Sequence, residues 1–225
     1  MIDGPNSEYA KELQFAESRR AMVEEQLRRR GIGNEQVLMA MARVPRHEFV
    51  TPEYEEQAYE DHPIPIGSGQ TVSQPYIVAA MLDSLELKPE DSVLEVGTGS
   101  GYQTALLSQL VARVYTIERH AALAEEAQRR LERLGYRNVM VFTGDGSQGL
   151  PNSAPFDAIT VGAASPRVPD ALFQQLREGG RMILPVGSSE SQELWLVRKE
   201  QGRQEVARME ACRFVPLIGS AGFVE

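Results

Sequence analysis

Beyond Asp91 the apolar residues fall into short blocks, Ser92 to Val96, Arg113 to Glu118, Asn138 to Thr143, Phe156 to Gly162 and Arg181 to Val186, mostly separated by stretches of helical periodicity. Strand-length blocks alternating with amphipathic helices imply right-handed crossovers and a parallel sheet buried on both faces. Gln192 to Lys199 and Gln204 to Phe214 flank Glu200-Gln201-Gly202-Arg203 and read as a closing hairpin. The pattern predicts an α/β fold: a doubly wound, mostly parallel sheet with a C-terminal antiparallel hairpin.

The first part of the chain has a different texture. Residues 1–17 are polar, contain Gly4-Pro5 and read as a frayed extension. Met22, Val23 and Leu27 then recur at helical spacing, and Gly31 after Arg28, Arg29 and Arg30 supplies a left-handed stop. Asn34 caps a second helix with Val37, Leu38 and Met41 on one face, ending before Pro45. From Val44 to Gln70 the density of breakers (Pro45, Pro52, Pro63, Pro65, Gly67, Gly69) predicts an ordered loop. Ser73 is placed to cap a third helix, with Pro75 in its first turn and Ile77, Val78, Met81, Leu82 and Leu85 as a core stripe. Residues 18–90 thus form a helical N-terminal subdomain, and residues 91–225 an α/β core that makes one compact domain with it.

Composition narrows the partners. Lys and Arg number 23 against 32 Asp and Glu, a net charge of −9 that repels phosphate backbones and anionic lipid heads. No apolar run approaches the roughly 20 residues that span a bilayer. Nucleic acid and membrane are not expected as partners. Cys212 is alone, so no intrachain disulfide can form, and without a secretory signal pattern the cytoplasm is the expected location. His47, His62 and His120 lack ligand spacing, so no metal is expected. His47 and His62 read as loop residues, and Cys212 as a small buried hydrophobe.

The chemistry concentrates after the first parallel strand, in Val93-Leu94-Glu95-Val96-Gly97-Thr98-Gly99-Ser100-Gly101-Tyr102. A buried strand that runs into alternate glycines and then a helix lies where an open parallel sheet binds its ligand. The spacing is neither the dinucleotide fingerprint nor a P-loop. The glycines let a ligand approach the main chain, and Glu95 offers an acceptor for an ammonium group. Glu118 ends the second strand, 23 positions after Glu95, where an acidic residue meets ribose hydroxyls in nucleoside-binding sheets. Gly144-Asp145-Gly146 follows the third strand, with Asp145 able to accept from an adenine amine.

These residues resemble the class I S-adenosylmethionine-dependent methyltransferases, whose Rossmann-like sheet has seven strands. The resemblance narrows with Val44-Pro45-Arg46-His47-Glu48-Phe49-Val50, Gln70-Thr71-Val72-Ser73-Gln74-Pro75, Phe156 to Ala164 and Arg213-Phe214-Val215-Pro216-Leu217. Together they are similar to the protein-L-isoaspartate O-methyltransferase family from about Ser18 to Gly219. The resemblance implies methyl transfer from S-adenosyl-L-methionine to the free α-carboxylate of L-isoaspartyl residues in damaged proteins and peptides. S-adenosyl-L-homocysteine is the product, and the ester closes to a succinimide whose hydrolysis returns some aspartate. A monomeric enzyme is expected.

Carried over by position, Ser73 matches the family's catalytic serine. Gln70, Thr71, Val72 and Ser73 approach the cofactor, as do Glu95, Gly97, Thr98, Gly99, Ser100 and Gly101 from the first strand. Glu118, Arg119, Asp145 and Gly146 complete the implied cofactor contacts. Ile64, Val72, Ser73, Val161, Gly162 and Ala163 match the substrate side. Residues 1 to about 17 precede the usual family start, and Ile218-Gly219-Ser220 replaces a polar tail found in relatives. A carboxylate acceptor is ionised at neutral pH, so the chemistry needs positioning and no catalytic base. A small-molecule methyltransferase and a non-catalytic nucleoside-binding module are the alternative readings.

Overall fold

The chain enters through helix α1 (Pro5–Ala21), a π-helical turn at Met22–Leu27 and a 3-10 turn at Arg28–Arg30. The computed structural model describes residues 5–188 and 190–224. The extension expected to fray is helical from Pro5, and Phe15 is buried with its ring stacked on His47 at 4.0 Å. Residues 1–4 of that extension lie outside the described residues. Gly31 stops the run at φ +99°, with Ile32 N–H donating to Leu27 O at 3.2 Å. Asn34 caps α2 (Glu35–Arg43) by accepting from the N–H groups of Gln36 and Val37.

Residues 44–70 are more regular than a loop. They form 3-10 turns at Arg46–Phe49 and Pro52–Gln57, then strand β1 (Ile64–Gly67), which pairs antiparallel with β2 (Gln70–Val72). Pro52 opens its turn and Pro65 lies at a register break in a two-stranded ribbon, positions where a missing N–H is tolerated. Helix α3 (Pro75–Ser84) has Gln74, not Ser73, at its N-cap, and neither side chain caps it. Asp61 does so from outside, its Oδ1 accepting from Tyr76 N–H at 3.0 Å.

The main sheet contains β3 (Ser92–Val96), β4 (Arg113–Glu118), β5 (Val139–Thr143), β6 (Phe156–Val161), β7 (Leu176–Gly187), β8 (Gln192–Glu200) and β9 (Arg203–Cys212). Their order is β5-β4-β3-β6-β7-β8-β9; β3 to β7 run parallel, and β8 and β9 add an antiparallel extension. Helices α4 (Tyr102–Leu110), α5 (Ala121–Arg133) and α6 (Asp170–Gln174) fill three of the parallel crossovers, and 3-10 turns occupy the one from β5 to β6. Strand β7 begins at Leu176 because Leu176 pairs with Phe156 across a register break, a start that Glu178-Gly179-Gly180 conceals in the sequence.

Alternate strand residues feed two cores. Val93, Val114, Ala158 and Ile183 join Leu27, Leu38, Met81 and Leu106 on one face, so the N-terminal helices and the sheet share one apolar layer. Leu94, Ile159, Met182 and Leu184 pack with Leu172 and Phe173 of α6 on the other. Chain order leaves β3 towards β4 on one side and towards β6 on the other, which opens a crevice above their carboxyl ends.

At the opposite end of the sheet, buried Asp91 accepts from Arg181 Nη2 at 2.8 Å and from Lys88 N–H at 3.1 Å. Removing one member of a buried pair strands the other charge. Arg181→Met is expected to lower unfolding free energy in urea by about 3–5 kcal/mol, and adding Asp91→Asn to recover part of it. An equal loss in both variants would show that the charge pairing is not the cause.

Candidate active site

The crevice is a cavity of about 570 Å³ with main chain for a floor. At the end of β3 the chain turns through Gly97 at φ +95°, and a Cβ there would lie 3.8 Å from Gly162 Cα. Gly162 N–H donates to Val96 O at 2.8 Å, the last bond holding β6 to β3 before the two diverge. Gly146 is more tightly enclosed, since a Cβ on it would lie 2.6 Å from Val96 Cγ1. The glycine turn thus places polar main chain at the cavity with few side chains in the way.

Glu118 forms one wall. Its Oε2 accepts from Gly99 N–H and its Oε1 from His120 N–H, each at 3.0 Å, which fixes the carboxylate at the tip of β4. Gly97, Gly99, Glu118, Arg119 and Gly146 line the cavity. Glu95 lies beneath it and is wholly buried. Thr104 and Thr116 hydroxyls donate to its Oε2 at 2.5 and 2.7 Å, leaving Thr98 to donate to Thr116 at 2.6 Å, while Oε1 has no partner. Burial raises the Glu95 carboxyl to about 7, with the threonine hydroxyls pulling the other way.

The opposite wall comes from the β1–β2 hairpin and the residues after it. Gln70, Thr71 and Ser73 line the cavity, as do Gly162 and Ala163 across from them. Among the described residues nothing hydrogen-bonds the Ser73 hydroxyl, whereas its carbonyl oxygen accepts from Arg46 Nη2 at 2.9 Å. Asp61 holds the next residues, taking Gln74 Nε2 on Oδ2 at 3.1 Å as well as the Tyr76 amide.

Several expected contacts lie elsewhere. Ile64, Val72 and Val161 are buried core residues that hold the wall from behind. Thr98 and Ser100 are buried too; Thr98 turns down onto Thr116, and Ser100 offers its carbonyl to Arg130. Gly101 is the N-cap of α4 and packs near Leu131. Asp145 lines a neighbouring crevice, with both oxygens occupied. Oδ1 accepts from Ser147 N–H and Oγ, and Oδ2 from Ser220 N–H and Oγ, at 2.6–2.9 Å. Burial opposes ionisation there, but these four donors outweigh it and hold the carboxyl at about 2. Asp145 therefore fastens the tail rather than presenting a vacant acceptor for adenine.

The sequence pattern assigned no cavity role to the end of β9 or to the segment after it. Cys212, Arg213, Phe214, Val215, Pro216 and Leu217 all line the cavity, and Ile77 joins them from the stripe expected to be core. Cys212 is half-buried on this wall, and burial together with Glu210 and Glu193 pushes its thiol up to about 11, so it is no nucleophile at neutral pH. His47 is buried in its 3-10 turn, with Nδ1 2.7 Å from the Tyr59 hydroxyl. His62 contacts Pro63 O locally at 3.0 Å.

Glu95 gives this site a pH signature. A carboxyl raised from 4.5 to about 7 holds its proton more tightly when folded, so its stabilising contribution is complete below the lower value and lost as pH rises through the higher. Stability of the ligand-free Glu95→Gln variant should gain on the parent between those values and level off above them. A difference independent of pH would contradict the buried-carboxyl assignment.

With this geometry in place, the relatives are informative. The chain matches the family described as protein-L-isoaspartate(D-aspartate) O-methyltransferase over residues 17–222. It is 59% identical over 209 residues to the protein-L-isoaspartate O-methyltransferase of Koribacter versatilis, covering 93% of this chain and 94% of that one. It is 51% identical to the Petrotoga mobilis protein of the same name, covering 94% of this chain and all of the other. A solved protein-L-isoaspartate O-methyltransferase superposes with a TM-score of 0.81 at 31% identity, covering 90% of this chain and 67% of that one. A Plasmodium falciparum structure described as such an enzyme in complex with S-adenosyl-L-homocysteine gives 0.76 at 27% identity, covering 89% and 98%. Among the described residues no helix is long and apolar enough to cross a membrane. The match across nearly the whole chain, with named relatives of almost equal extent, makes this protein a member of the protein-L-isoaspartate(D-aspartate) O-methyltransferase family.

Proposed function

We propose that the chain methylates the free α-carboxylate of L-isoaspartyl residues in damaged proteins and peptides, using S-adenosyl-L-methionine. One observation carries this reading. A single cavity joins a glycine turn and Glu118 on one side to the Ser73 segment on the other, over a sheet shared with enzymes of that name. The residues suit the nucleoside donor: Gly97 and Gly146 bring main chain to the cavity, Glu118 has its oxygens at the wall, and Glu95 keeps an unpartnered buried oxygen under the turn. Gln70 and Thr71 face it from the hairpin, and Arg119 from the tip beyond β4. S-adenosyl-L-methionine, when bound, supplies a sulfonium methyl group as the electrophile.

The remaining chemistry belongs to the chain. Arg213 puts a cation on the cavity of a protein whose net charge is −9, which favours entry of an anionic acceptor. The acceptor carboxylate is already ionised at pH 7, so no residue has to remove a proton. Ser73 donates its hydroxyl to one carboxylate oxygen and so directs the other towards the methyl group. Gly162 and Ala163 bound the acceptor's far side. Ile66 of the hairpin approaches Gly99, where its Cδ1 would lie 3.4 Å from a Cβ, so the hairpin rests against the glycine turn. Residues 18–90 supply the hairpin and Ser73, and residues 91–225 the glycine turn, Glu118 and the Gly162-Ala163 edge, of one site. Protein and peptide substrates, a monomeric state, a cytoplasmic location and no nucleic-acid partner complete the reading, supported by the acidic surface and the lone cysteine.

A matched peptide pair tests it. Label from methyl-labelled S-adenosyl-L-methionine is expected on the isoaspartyl peptide alone and to be released by mild base; label on the aspartyl partner, or on neither, would refute the assignment. Ser73→Ala is expected to lower kcat about 10- to 150-fold, the worth of a hydrogen bond to a charged group. Its affinity for S-adenosyl-L-homocysteine should stay within about twofold, and equal losses in both would remove the positioning role.

A further inference from the structure

Arg46 is wholly buried and, among the described residues, has no carboxylate partner. Its Nε donates to Ala58 O at 2.7 Å and its Nη2 to Ser73 O at 2.9 Å, while Nη1 has no partner. The guanidinium lies 4.7 Å from the ring centroid of Tyr102, the first residue of α4 after the glycine turn. Tyr102 is buried in turn, with its hydroxyl directed at Met41 Sδ. A buried cation with carbonyl acceptors and one idle donor nitrogen is a poor source of stability, since apolar residues of similar volume usually do as well or better. Its three contacts nevertheless bring together the turn after Pro52, the Ser73 main chain and the start of the helix behind the glycine turn.

We infer that Arg46 is a positioning residue for methyl transfer: its guanidinium ties the Ser73 carbonyl to the Tyr102 ring, and so fixes the Ser73 hydroxyl relative to the glycine turn. The inference rests on the reading of Ser73 given above. A planar, forked cation can reach two carbonyls and stack on a ring at once, whereas lysine offers one ammonium point. The acceptor segment and the nucleoside segment are then registered by a side chain that touches neither ligand.

The test compares Arg46→Lys and Arg46→Met with Val197→Ala, a buried truncation on β8 that serves as a control for general destabilisation. For the Arg46 variants kcat on an isoaspartyl peptide is expected to fall by about 10- to 100-fold. Peptide KM and the Kd of S-adenosyl-L-homocysteine should stay within about threefold. Val197→Ala should keep its kcat per folded molecule. Combined with Ser73→Ala, Arg46→Lys should cost less than about a further twofold, because both changes remove the same placement. Hydrogen exchange in the ligand-free protein gives a second readout: amides of residues 70–74 should exchange faster in Arg46→Lys and not in Val197→Ala. An unchanged kcat, a full multiplicative loss on top of Ser73→Ala, or unchanged exchange at 70–74 overturns the inference. If the parent protein transfers no methyl group to the peptide, the reading of the function fails, and the exchange comparison alone decides the role of Arg46.

Discussion

Gly97 and Gly162 pass each other at the ends of two parallel strands with no side chain between them, and the ligand side of the molecule is built outward from that near-contact. Val96 O takes the Gly162 amide and Ile117 O takes the Gly97 amide, so three strands remain hydrogen-bonded up to the residue at which they diverge. A parallel sheet buried on both faces has no freedom to relax there. The cavity floor is consequently rigid main chain, and the carboxylates around it are oriented by amides of the same turns: Glu118 by Gly99 and His120, Asp145 by Ser147. Glu95 is the exception, with one oxygen left unpartnered beneath the turn.

The acceptor side is held by different means. No extended ladder fixes the Ser73 segment; side chains distant in sequence do. Asp61 supplies the helix cap that Gln74 and Ser73 do not, and Arg30 secures Asp61 while lying 3.4 Å from the Tyr76 ring centroid. The Ser73 hydroxyl is left out of these structural bonds, which suits a group that meets a substrate. The two sides are nonetheless mechanically one, because the helices beneath the acceptor segment and the first face of the sheet share a single apolar core.

Legibility in the sequence followed the range of the forces involved. Strands β3 and β4 were visible to the residue because apolar blocks buried on both faces need no knowledge of their partners. The Asn34 cap and the Gly31 stop were equally local. The β1–β2 hairpin was hidden, since its prolines and glycines carry the composition of a loop and only its own pairing reveals it. Ser73 looked like a cap because it precedes Pro75, and the true donor–acceptor pair joins residues that pattern reading has no means of connecting. Asp145 and Cys212 failed for the same reason: their partners, Ser220 and the cavity wall, are set by how the end of the chain returns over the sheet.

That return has a practical consequence. With its carboxyl held near 2, Asp145 keeps its grip on Ser220 across the whole range of pH in which proteins are handled. Phe223 and Val224 consequently remain beside Arg119, at a crevice that adjoins the cavity through Arg119 and Ile218. A bulky group attached at Val224 would stand at the mouth of the site, so a modification at that position is also a choice about access to the cavity.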